Sequence, residues 1–130
     1  MANRGARHLR RFQALIEERF RRWLSVEDYA ASVGITATQL NNVCRAHTGK
    51  TALQLVHERV LLEARRNLIY TIMTISEIAY ALGFSDPAYF SRFFTKKAGV
   101  PPSEFRTQRR TSLSSTPAAA SSGTRKQPEK

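Results

Sequence analysis

The chain has 130 residues, with 21 Lys and Arg against 10 Asp and Glu, a formal net charge of +11. That length holds one small domain, or two very small ones sharing a brace, and the charge favours a polyanionic partner, either nucleic acid or an anionic membrane. One cysteine, Cys44, excludes an internal disulfide and a Cys-based metal cluster, and His8, His47 and His57 are too scattered for a zinc site, so no metal and no cofactor is expected.

No apolar run approaches the ~20 residues that span a bilayer, and no apolar signal core stands at the start. No membrane association and a cytoplasmic location are therefore expected. The charge is uneven: residues 1–24 hold seven Arg against two Glu, residues 25–110 eleven basic against seven acidic side chains, and residues 111–130 three against one.

Leu9, Phe12, Leu15, Ile16, Phe20, Trp23 and Leu24 recur at three- and four-residue steps, which describes an amphipathic helix with arginines outside. Residues 1–24 form a basic amphipathic linker helix in this reading, expected to pack on the first unit with its arginines as a solvated face; phosphate contact or the exit of a linker from an upstream domain are the sharper alternatives. Ser25 is the expected N-cap of a second helix with Val26, Tyr29, Ala30 and Val33 inside, ended by Gly34, which can adopt a left-handed turn. Thr36 restarts the helix with Gln39 three residues on. This third helix should bury Leu40, Val43 and Cys44 and leave Ala37, Thr38, Asn41, Asn42 and Arg45 outside.

Gly49 stops it, and Thr51 with Gln54 opens a longer joining helix over residues 51–69 with Leu53, Leu55, Val56, Val60, Leu61, Ala64 and Leu68 inward. After a break at residues 70–73, Thr74 and Glu77 form another capping box. Ile75, Ala79, Leu82 and Gly83 then repeat Val26, Ala30, Val33 and Gly34 at a constant offset, and Phe90, Phe93, Phe94 and Gly99 repeat Leu40, Val43, Cys44 and Gly49. The Pro101-Pro102 pair suits the first turn of a final helix. Beyond Arg110 the Ser, Thr, Ala and Pro composition of residues 111–130 is expected to be disordered.

A helix held across a tight turn can enter a major groove and read base edges. Arg92 can pair bidentately with guanine, Asn41 or Asn42 with adenine, and Ala88, Thr38 or Tyr89 can touch a thymine methyl. Thr36 and Ser85 at the helix starts suit phosphate contacts, as do Arg45, Lys96 and Lys97; the plainer alternative is that these are helix caps and solvated charges. Asp86, an acid, is expected at its helix start as a dipole partner. No nucleotide-binding glycine loop, HExxH or Ser/His/Asp arrangement is present, so no enzyme is expected. Cys44 could serve as a repair-type methyl acceptor only if exposed.

Residues 79–106, reading AYALGFSDPAYFSRFFTKKAGVPPSEFR, closely resemble the second helix-turn-helix signature of AraC/XylS-type bacterial transcription regulators. The resemblance spans about residues 24–110. It implies an all-α fold of two homeodomain-like helix-turn-helix subdomains, residues 25–50 and 74–110, joined by a long linker helix. It also implies base reading from Thr38, Asn41, Asn42, Ala88, Tyr89 and Arg92, with recognition helices in successive major grooves. Double-stranded DNA and RNA polymerase are the partners this implies. The family's upstream small-molecule effector domain is absent from this chain, so the chain resembles either a compact single-domain regulator or the DNA-binding end of a larger one, and its Arg-rich start, residues 1–23, resembles a linker helix and favours the second. A sequence-blind architectural nucleic-acid binder is the alternative function.

Overall fold

The Asn3 side chain accepts the Ala6 N–H and so starts the first helix five residues before its first core residue expected from the pattern. In the computed structural model, which describes residues 3–114, seven α-helices follow: α1 (Arg4–Arg19), α2 (Val26–Val33), α3 (Ala37–Thr48), α4 (Ala52–Tyr70), α5 (Ile75–Ala81), α6 (Pro87–Ala98) and α7 (Pro102–Ser114). No strand occurs among the described residues, and the fold class is all-α. No described helix is long and apolar enough to cross a membrane.

The α1 helix does not continue to Leu24. It tightens into a 3-10 turn, Phe20–Arg22, and Trp23 turns left-handed (φ 53°, ψ 46°), the sole non-glycine positive φ among the described residues. The turn lets Phe20 stay in the core while Trp23 crosses to the second helix-turn-helix. There its indole N–H donates to the Leu82 carbonyl at 2.9 Å, and its ring lies 4.8 Å from Phe84 and 5.8 Å from Phe93.

Helix α1 packs on both α2 and α3, and Phe12, Leu15 and Ile16 lie in the same core as Tyr29, Leu40 and Cys44. Each helix-turn-helix therefore has a third helix behind it: α1 for α2–α3, and α4 for α5–α6, with α7 closing the second unit. Val56, Val60, Ala64 and Leu68 line the buried stripe of α4 and join the two units into one core. Leu53, expected inward, is 47% exposed, because it stands one residue outside that four-residue register.

An ion-pair group fixes α1 against α4. Arg59 donates to Glu17 at 2.6 Å and to Glu63 at 3.0 Å, and the guanidinium carbons of Arg59 and Arg21 each lie 4.4 Å from the Phe20 ring centroid. The outer end of α4 is held differently. The Arg106 guanidinium donates to the carbonyls of Leu68 (2.9 Å), Asn67 and Thr71 (both 3.3 Å), and Arg110 also donates to Thr71.

The Leu68 and Thr71 carbonyls are among those that a helix end leaves without intrahelical donors, while that of Asn67 already accepts the Thr71 N–H at 3.2 Å. Arg106→Ala should therefore lower stability by about 2 kcal/mol, read as a fall in urea midpoint. Arg106→Lys should recover only part of it, since one ammonium cannot reproduce the fork. Residues 111–114, expected in the disordered tail, continue α7; the rest of that expectation, residues 115–130, lies outside the described residues.

Candidate nucleic-acid interface

The two reading helices begin with different chemistry. At α3 the Thr36 hydroxyl accepts the Gln39 N–H and the Gln39 amide oxygen accepts the Thr36 N–H, a reciprocal box. It satisfies two of the four N-terminal donors and leaves those of Ala37 and Thr38. At α6 the cap is Asp86, whose carboxylate accepts the Tyr89 N–H at 2.9 Å, and Pro87 has no N–H to offer. Asp86 thus takes the dipole-partner place expected of it. Ser85, matched to Thr36 in the repeat, lies one residue before the cap and beside this carboxylate.

Gly34, Gly49, Gly83 and Gly99 all take positive φ and end the helices before the turns, as their spacing predicts. On α3, Thr38, Asn42 and Arg45 are exposed, as Thr36 is at its start. Asn41 is not: it is half-buried, and its side-chain oxygen accepts the Ala52 N–H at 2.9 Å, tying α3 to the first turn of α4. The Asn42 side chain makes no hydrogen bond to another described residue. On α6, Ser85, Ala88, Tyr89, Arg92, Lys96 and Lys97 are all exposed. Tyr89 is 55% exposed, leans edge-on to Phe84 at 6.0 Å, and carries the Arg92 guanidinium 5.8 Å from its ring centroid.

Neither α3 nor α6 contains an acidic residue, so both outward faces are polar to basic. Behind α6 runs a chain of aromatics in which Phe84, Phe90, Phe94 and Phe105 follow at 5.2, 6.0 and 5.3 Å. Behind α3 the equivalent contacts come from Phe12, edge-on to Tyr29 at 5.3 Å. His57 on α4 sits against Trp23 and Phe93, and burial, then Lys97, push its pKa down, which favours the neutral ring.

Cys44 is fully buried and burial pushes its thiol pKa up, which suits a small apolar packing residue and removes the exposure that a methyl-acceptor role requires. No group of three or more His, Cys, Asp or Glu able to hold a metal occurs among the described residues.

A helix-turn-helix domain family matches residues 29–108. The structure also superimposes on a transcriptional regulator with an AraC-type DNA-binding domain from Chromobacterium violaceum, with TM-score 0.72, 30% identity, and coverage of 82% of this chain and 96% of that one. The chain belongs to the AraC-type helix-turn-helix family.

The C-terminal domain of the response regulator AraT from Geobacillus stearothermophilus is similar too, with TM-score 0.77, 26% identity, and coverage of 88% and 96%. Among curated sequences, the HTH-type transcriptional activator RhaS of an Enterobacter species is 31% identical over 113 residues, 87% of this chain. The match spans 40% of RhaS itself. Membership places the chain among AraC-type helix-turn-helix DNA-binding domains, and the chain spans less than half the length of the curated relatives it matches.

Several features that shape the interface are poorly marked in the sequence. Asn41 and Asn42 are chemically identical neighbours, and only the approach of α4 to α3 separates them. The role of Arg106 carries no local signal, since its three acceptors lie more than 30 residues earlier. Trp23 had one signal: a large aromatic next to Leu24 at a helix end, with no partner of its own in the first unit.

Proposed function

We propose that this AraC-type chain is the DNA-binding part of a sequence-specific transcription regulator that lays α3 and α6 into adjacent major grooves on one side of a duplex. The observation that carries this reading is the pair of exposed, acid-free helix faces held on one core by α4. At 19 residues and ~1.5 Å per residue, α4 is a rod of ~28 Å, comparable to the ~34 Å repeat of the groove.

In this reading Arg92 pairs with a guanine, and Tyr89 both contacts a base and supports the guanidinium. Ala88 and Thr38 offer methyl contacts. Asn42 takes the adenine-type pairing, which needs both an acceptor and a donor from one amide; Asn41 has its oxygen committed to Ala52 and serves chiefly to set the angle of α3. Thr36, Arg45, Lys96 and Lys97 hold phosphates, with Ser85 a lesser contributor. RNA polymerase is the partner a transcription regulator of this kind would address.

Selection of bound duplexes from random DNA tests the proposal. It should return sites with two conserved blocks about one helical turn apart. Arg92→Ala should cost ~1–3 kcal/mol on the selected site and relax preference at one base step. The other reading, sequence-blind binding driven by the +11 charge, predicts equal affinity for unrelated duplexes and a steep salt dependence. Equal affinity would overturn base reading.

A further inference from the structure

The two units differ at the cleft between each reading helix and the helix that braces it. In the second unit this cleft is lined by His57, Phe84, Tyr89 and Phe93, with Trp23 set into it. In the first it is lined by Arg4 and His8 of α1 together with Ile35, Gln39, Asn42 and Val43. Aromatic filling on one side is replaced by cationic and polar groups on the other.

The first turn of α1 lies directly on α3: a Cβ placed on Gly5 would come within 3.1 Å of His47 Nε2. The Arg4 side chain is exposed and makes no ion pair or hydrogen bond to another described residue. Two other arginines of α1 are committed elsewhere, Arg11 to the Ser32 carbonyl and Arg19 to the Ser32 hydroxyl. Meanwhile α3 carries Arg45 as its one Arg or Lys, where α6 carries Arg92, Lys96 and Lys97.

A major groove is ~12 Å wide and a helix with its side chains ~10–12 Å across, so an inserted helix has a phosphate strand along each flank. Gln39 and Asn42 mark the α1 side of α3. We propose that Arg4, with His8 beside it, is a DNA phosphate contact on that flank, so that α1 supplies the charge that the first reading helix lacks. The assignment is to the side chains and to a backbone phosphate of double-stranded DNA, and it rests on the reading that α3 enters a groove.

The test uses the full chain, a duplex obtained by selection and a scrambled duplex of equal length, each titrated over a range of salt concentration. Arg4→Ala should weaken binding to both duplexes by the same factor, roughly fivefold near physiological salt, and should reduce the salt slope by about 1. Arg4→Lys should restore most of both. Arg10→Ala, about 120° round α1 from Arg4 and outside the cleft lining, is the control for net charge and should change little.

An unchanged slope in Arg4→Ala, or an equal loss in Arg10→Ala, would overturn the proposal. Failure of the base-reading model looks different: the unmodified chain would then bind both duplexes alike, while the comparison of Arg4 with Arg10 on either duplex would still decide this contact. Thermal melts of both variants should coincide with that of the unmodified chain, since neither side chain is buried.

Discussion

Gly83→Ala is expected to destabilise the protein by about 3–5 kcal/mol, against about 1 kcal/mol for Gly34→Ala, although the two glycines occupy matching places in the repeat. Both are left-handed, at φ 89° and 95°, so both substitutions carry the conformational cost of an L-residue there. At Gly34 an added Cβ meets nothing within 4 Å. At Gly83 it would stand 1.9 Å from the Arg21 carbonyl oxygen and 2.9 Å from Trp23 Cδ1.

The first of those atoms is backbone, held by Phe20 in the core and by Trp23 against Leu82, and cannot swing aside as a side-chain tip could. Urea unfolding of the two variants should separate them by several-fold in midpoint shift. Equal shifts would mean that the chain at residues 21–23 does not press on the second turn.

Trp23→Ala is expected to cost about 3 kcal/mol, from the lost ring packing against Phe84, Phe93 and His57 and the unpaired Leu82 carbonyl. Trp23→Phe keeps most of the ring contact and loses the donor, so about 1 kcal/mol is expected. The location of the loss is more informative than its size. Trp23 precedes the first helix-turn-helix in sequence, yet hydrogen exchange should accelerate in α5 and α6 more than in α2 and α3. Acceleration confined to α2 and α3 would contradict the contacts seen here.

These two cases show why one link of this fold could not be read locally. The apolar steps of residues 9–24 fit one helix, and Trp23 satisfies that periodicity as well as Phe20 does. What breaks the helix is the chance for the indole to bury against Phe84 and donate to Leu82, 59 residues further on. In the same way the repeat places Asn41 on the outer side of its helix, and the position of Ala52 N–H turns it into a brace. Ser85 was matched to Thr36 by alignment of the turns, while the one-residue lengthening at Asp86 gives the cap to the acid.

The sequence by itself determined α2 to α6, the caps Ser25, Thr36, Thr51 and Thr74 and the glycine stops, because these depend on side chains within four residues of one another. It also determined the inner stripes, Leu53 apart, the duplicated unit and the acid-free outer faces of α3 and α6, since helical periodicity fixes which positions share a face. Only the tertiary structure decided that Trp23 and Arg21 press on the second unit and that Arg106 ties α7 to the end of α4. It also separated Asn42 from Asn41, and Gly83 from Gly34. Each of these turns on the approach of elements distant in sequence, where packing and an unsatisfied backbone group choose between residues that local chemistry leaves equivalent.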